Sequence, residues 1–225
     1  MKSFATLALI ALAAASPIIE ERQRGGRVGS TATEFTDGGC KDIIMLFARG
    51  STETGNMGTI CGPQTANGVK AAFGADKVAV EGIEYAAALS TNFGPGGADR
   101  RGIAEMERLI AQANTDCPNS MLVVGGYSQG AALTHRAVEG LPQAQKDQIV
   151  AAFTFGDTQN QQDNGQIPNF PPEKTNVICN RGDAVCSGTL NILPPHLQYG
   201  ARADEQAQFI NSKLQAAGAK LKKRD

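Results

Sequence analysis

Five short apolar runs, at residues 43–47, 78–83, 121–124, 149–155 and 176–179, punctuate the chain, each bounded by Gly, Asp, Asn or Pro. Their length and β-branched content predict buried parallel strands. Between and after them, apolar positions recur at helical spacing near 63–73, 99–113, 129–138 and 203–217. Alternating strand and helix predicts an α/β fold, a three-layer α/β/α sandwich around a central five-stranded parallel sheet. In such sheets the active residues gather beyond the carboxyl ends of the strands.

One of those ends is chemically distinctive. The third run leads into Gly125-Gly126-Tyr127-Ser128-Gln129-Gly130 and then directly into a helical pattern. Strand, glycine-flanked serine and helix together fit Gly-x-Ser-x-Gly, the tight turn that lifts a serine hydroxyl out of a sheet. A serine hydroxyl needs an adjacent base, normally an imidazole oriented by a carboxylate. The chain has two histidines. His135 lies seven residues beyond Ser128 on the same predicted helix, about 10.5 Å along its axis, too far to reach the hydroxyl. His196 is therefore the candidate base, in the proline-rich loop Leu193-Pro194-Pro195-His196-Leu197 ahead of the final helix. Asp157 and Asp183 both follow strand-like runs and precede His196. Asp183 is favoured, because it sits in the turn-prone Asn180-Arg181-Gly182-Asp183, whereas Asp157 opens a long polar connection. Oxyanion donors are expected from the Gln129 amide and from Ser51, in the glycine-containing loop after the first strand.

The remaining composition narrows the setting. The 225 residues suit one well-buried domain, and 21 basic against 22 acidic residues give net charge −1, with no field to recruit nucleic acid or an anionic bilayer. Residues 1–16 have the basic start, apolar stretch and small-residue end of a secretory signal peptide, too short for a transmembrane helix. Residues 17–33, polar and charged, are expected to form a flexible pro-segment or arm, and 34–225 the catalytic domain. The basic run Lys220-Leu221-Lys222-Lys223-Arg224 reads as a solvated helix end. Five cysteines in a secreted chain suggest two disulfides and one thiol, and the spacing does not fix the pairing. No histidine sits at zinc-ligand spacing from a CxxC pair, so neither metal nor cofactor is expected.

Phe47-Ala48-Arg49-Gly50-Ser51-Thr52-Glu53-Thr54-Gly55-Asn56, the elbow, and Cys179-Asn180-x-Gly182-Asp183-x-x-Cys186 with Pro195-His196-Leu197 resemble the fungal cutinases, from about Cys40 to the C-terminal helix. The resemblance implies a lidless α/β-hydrolase, extracellular and monomeric, that cleaves the plant polyester cutin and lipid-like aliphatic esters. It implies Ser128, Asp183 and His196 as triad, Ser51 and Gln129 at the oxyanion hole, and the pairs Cys40–Cys117 and Cys179–Cys186. By similarity and position, Leu89, Asn92, Tyr127, Leu190, Ile192 and Leu197 would border the acyl cleft, with Asn92 steadying the oxyanion loop. Residues 158–174, polar and proline-rich, lack the amphipathic pattern of a lid helix. Cys61 departs from the family pattern and is expected to be a buried thiol. A related enzyme of the same fold, acetylxylan esterase, is the main alternative, and a noncatalytic hydrolase-fold binding protein a weaker one.

Overall fold

The computed structural model describes residues 26–222, so the signal-peptide reading and most of the arm fall outside the described residues. Five strands, β1 (Ile43–Ala48), β2 (Val78–Gly82), β3 (Met121–Tyr127), β4 (Ile149–Phe155) and β5 (Thr175–Ile178), form one parallel sheet in the order β2-β1-β3-β4-β5. Apolar side chains of β1 alternate between the two faces. Ile44, Leu46 and Ala48 pack with Met106, Leu109 and Ile110 of α3 (Arg100–Asp116) and with Leu133 and Val138 of α4 (Gln129–Glu139). Ile43, Met45 and Phe47 pack with Ala66, Val69 and Phe73 of α2 (Gly62–Phe73) and with Ile210 and Leu214 of α6 (Ala203–Ala216). Helices covering both faces explain why the strands read as continuous apolar runs rather than alternating ones.

After β2 the chain crosses back past β1 to lay down β3 on its other side. The strand order therefore reverses between β1 and β3, and the crevice at their carboxyl ends is the position where such sheets bind ligands. In register, Ala48 pairs with Gly126, which brings the loop after β1 beside the turn after β3.

Several elements differ from their sequence expectation. β3 continues through Gly125-Gly126-Tyr127, because central pairing with β1 and β4 overrides the low strand propensity of glycine. β5 ends at Ile178, so Cys179 is free to enter its disulfide. Two short helices were not anticipated, α1 (Glu34–Gly38) and α5 (Gln143–Gln148). Residues 26–33, expected within a loose arm, lie against the body: Val28 and Ala32 are buried, and the Asn67 and Asn56 side-chain amides each satisfy the backbone of one of them. The described part of the basic run, residues 220–222, is not a helix end either. α6 stops at Ala216, and the Lys222 amide instead donates to the Ala72 carbonyl.

Both disulfides form as the resemblance implied, Cys40–Cys117 and Cys179–Cys186, and Cys61 is free and buried. Burial, and secondarily the charge of Glu53, pushes the Cys61 thiol well above its ordinary range.

Candidate active site

Ser128 sits between the end of β3 and the start of α4 with φ +56° and ψ −117°, a conformation that non-glycine residues rarely adopt. Space around it is as tight as the pattern demands. A Cβ on Gly126 would lie 2.1 Å from the Gly130 carbonyl oxygen, and one on Gly130 would lie 2.0 Å from that of Ala48. The two glycines thus let the helix start press against both strands, and the serine is the residue the turn pushes outward.

His196 Nε2 lies 3.0 Å from Ser128 Oγ, and its Nδ1 lies 2.9 Å from Asp183 Oδ2. All three residues are buried. Asp183 caps the 3₁₀ turn Ala184–Ser187, taking the Val185 N–H on Oδ1 at 3.0 Å, inside the loop closed by Cys179–Cys186. His196 is held by its backbone as well, since the Tyr127 hydroxyl donates to its carbonyl at 2.7 Å and the two rings lie 5.2 Å apart. Tyr127, expected along the cleft, does line it, but its hydroxyl is committed to that carbonyl.

The competing acid is engaged elsewhere. Asp157 Oδ2 meets His135 Nε2 and the Thr154 hydroxyl, both at 2.8 Å, while His135 Nδ1 meets Asp163 Oδ2 at 2.7 Å. His135 and Asp157 are fully buried, so a second histidine–carboxylate cluster is built around His135 of α4, with no hydrogen bond to Ser128. Burial alone would lower the affinity of His135 for its proton. Hydrogen bonds and charge from Asp157 and then Asp163 outweigh that and raise its pKa from 6.5 to about 9.

Ser51 and Gln129 come together across the crevice. Ser51 Oγ accepts from Asn92 Nδ2 at 2.9 Å and from Gln129 Nε2 at 3.0 Å, which leaves its own hydrogen to donate to a third group. Gln129 is fixed in turn by donating to the Ala88 carbonyl and accepting from the Thr91 hydroxyl. Sequence reasoning missed Glu53, whose carboxylate takes the N–H groups of Gly50, Thr59 and Ile60 and so ties the loop after β1 to the far wall of the cleft. It missed Phe93 too, the most exposed large apolar residue of the rim at 80%. Leu89, Leu190, Ile192 and Leu197 are also exposed, together with Leu193, and none is a core contact. Leu89, Asn92, Phe93, Leu190, Ile192 and Leu197 line one cleft of about 620 Å³ with Ser51, Tyr127, Ser128 and His196. The 158–174 segment forms no α-helix and contributes no lining residue to this cleft. Among the described residues no cluster could hold a metal ion, and no helix is long and apolar enough to cross a membrane.

Comparison with known proteins shows which ones the chain resembles. The family model described as Cutinase matches residues 39–214. The chain is 52% identical over 212 residues to cutinase CUT2 of Pyricularia oryzae, spanning 94% of this chain and 98% of that one. It is 45% identical over 229 residues to cutinase 2 of Fusarium vanettenii, spanning 96% and 98%. Among solved structures, a Trichoderma reesei cutinase in complex with a phosphonate inhibitor aligns with a TM-score of 0.73 at 34% identity, over 83% of this chain and 80% of that one. An acetylxylan esterase aligns at 0.60 with 21% identity, over 78% of this chain and 100% of that one, a likeness of fold.

Proposed function

The chain belongs to the cutinase family, and from that premise we propose that it is an extracellular serine esterase that cleaves cutin and small aliphatic esters, with Ser128 as nucleophile, His196 as base and Asp183 as the orienting carboxylate. Ser128 Oγ attacks the ester carbonyl while His196 Nε2 takes its proton, and Asp183 stays ionised against Nδ1 to stabilise the imidazolium. Negative charge that develops on the carbonyl oxygen is met by the Gln129 N–H and by the N–H and hydroxyl of Ser51. The imidazolium then protonates the departing alcohol and leaves an acyl-serine. Water activated by the same imidazole releases the acid and restores the serine.

The observation that carries this reading is the continuous hydrogen-bonded line from Ser128 through His196 to Asp183, opening into an apolar cleft. The character of the rim favours a long aliphatic acyl group over acetyl. Five exposed apolar side chains that line it, Leu89, Phe93, Leu190, Ile192 and Leu197, offer hydrophobic contact that an acetylated polysaccharide would leave unused. Incubation with purified cutin and with acetylated xylan separates the two substrates. Release of C16 and C18 hydroxy acids is expected, and release of acetate alone would transfer the enzyme to the acetylxylan class.

A further inference from the structure

Tyr199 is one of the largest fully buried side chains, and its polar end is spent on the catalytic carboxylate. Its hydroxyl donates to Asp183 Oδ2 at 2.6 Å and accepts the Asn180 N–H at 2.9 Å. The same Oδ2 faces His196 Nδ1, so one oxygen serves two donors while Oδ1 is held by the Val185 N–H. The terminal torsion of an aspartate is soft, and without a second anchor the carboxylate turns easily about its axis. The ring itself is fixed between Tyr127 and Phe155, 5.8 Å from each, and stands nearly perpendicular to the His196 ring at 6.1 Å. Burial, then the bond to Asp183, raises the phenol far above its ordinary pKa of 10, so it remains a donor across the working pH range.

We propose that Tyr199 is a positioning residue for the hydrolysis: its phenol holds Asp183 Oδ2 on the His196 Nδ1 axis and takes up part of the carboxylate's charge, thereby setting how firmly His196 keeps the proton received from Ser128. This inference rests on the triad assignment made above. The chemistry gives it a sign. A carboxylate that loses a donor carries more charge toward its remaining partner, and a neighbouring imidazolium is stabilised. Few other titratable groups face this line. Tyr127 is bonded to the His196 carbonyl, Arg202 pairs with Glu205 and reaches the Asn180 side chain, and Cys186 is locked in its disulfide.

The test is the pH profile of kcat/KM on a soluble p-nitrophenyl ester for the wild type, for Y199F, and for a protein carrying 3-fluorotyrosine at position 199 alone. Y199F is expected to move the acid limb to higher pH by about half a unit to one unit, with KM within about twofold. The fluorinated phenol, a stronger donor, is expected to move it the other way. Limbs that coincide with wild type in both proteins would overturn the proposal, and if Y199F does not fold the fluorinated protein decides alone. Wild-type enzyme is titrated in parallel with a serine-directed phosphonate. Failure of Ser128 to react would sink the triad assignment itself, whereas reaction at Ser128 without any limb shift would sink only the role of Tyr199.

Discussion

Replacing His135 by leucine should cost stability in a way that depends on pH. The histidine lies fully buried on α4 between Asp157 and Asp163, with Arg136 also bonded to Asp163. Its folded-state pKa of about 9 stands above the unfolded 6.5, so its proton stabilises the fold fully below pH 6.5, and that contribution is lost as pH rises through 9. At about 1.4 kcal/mol per tenfold change in proton affinity, the bound proton is worth about 3 kcal/mol. H135L leaves Asp157 buried opposite an apolar side chain, a change that costs roughly 3–5 kcal/mol when one partner of a buried pair is removed. Urea unfolding of both proteins at pH 6 and pH 9.5, disulfides intact, reads the difference. A gap of about 4 kcal/mol at pH 6, narrowing by about 3 at pH 9.5, is expected. A gap equal at the two pH values would show that His135 carries no proton in the fold and would refute the electrostatic account.

S51A should lower kcat about 100-fold with KM nearly unchanged, because the lost hydroxyl acts only on charge that develops in the transition state; a change confined to KM would remove Ser51 from the oxyanion site. N92A, which frees Ser51 Oγ from one of its two anchors, should show the same kinetic pattern at smaller size, roughly tenfold. Cys61, buried and with its thiol held protonated, should resist thiol-specific reagents in the native protein and react once unfolded. Rapid native labelling would contradict its burial.

The sheet and its helices were legible because buried strands and amphipathic helices write their periods locally. The elbow was legible for a related reason: its glycines answer a steric demand of a few adjacent residues. What the sequence hid is long-range. α1 has no side-chain cap of its own, and its Phe35 and Thr36 N–H groups are satisfied by Glu81, buried on β2. In α5, Lys146 reaches back to the Glu139 carbonyl and the Gln148 side chain to the Cys117 and Ser120 carbonyls. Residues 26–33 appeared loose because their acceptors and donors are amides of Asn56 and Asn67, on other segments. Within the site, elimination between two histidines pointed to His196, and loop chemistry favoured Asp183 over Asp157. Glu53 and Tyr199 left no comparable signal, since each acts through hydrogen bonds that only the folded chain brings together.

The central claim is that one hydroxyl in this protein is made nucleophilic by His196. Reaction of the folded protein with an alkyl phosphonate, followed by peptide mass mapping and residual esterase assay, tests it most directly. A single adduct on the peptide containing Ser128, formed in step with loss of activity and abolished by H196A, is the predicted result. An adduct on another residue, or full activity with Ser128 modified, would contradict it.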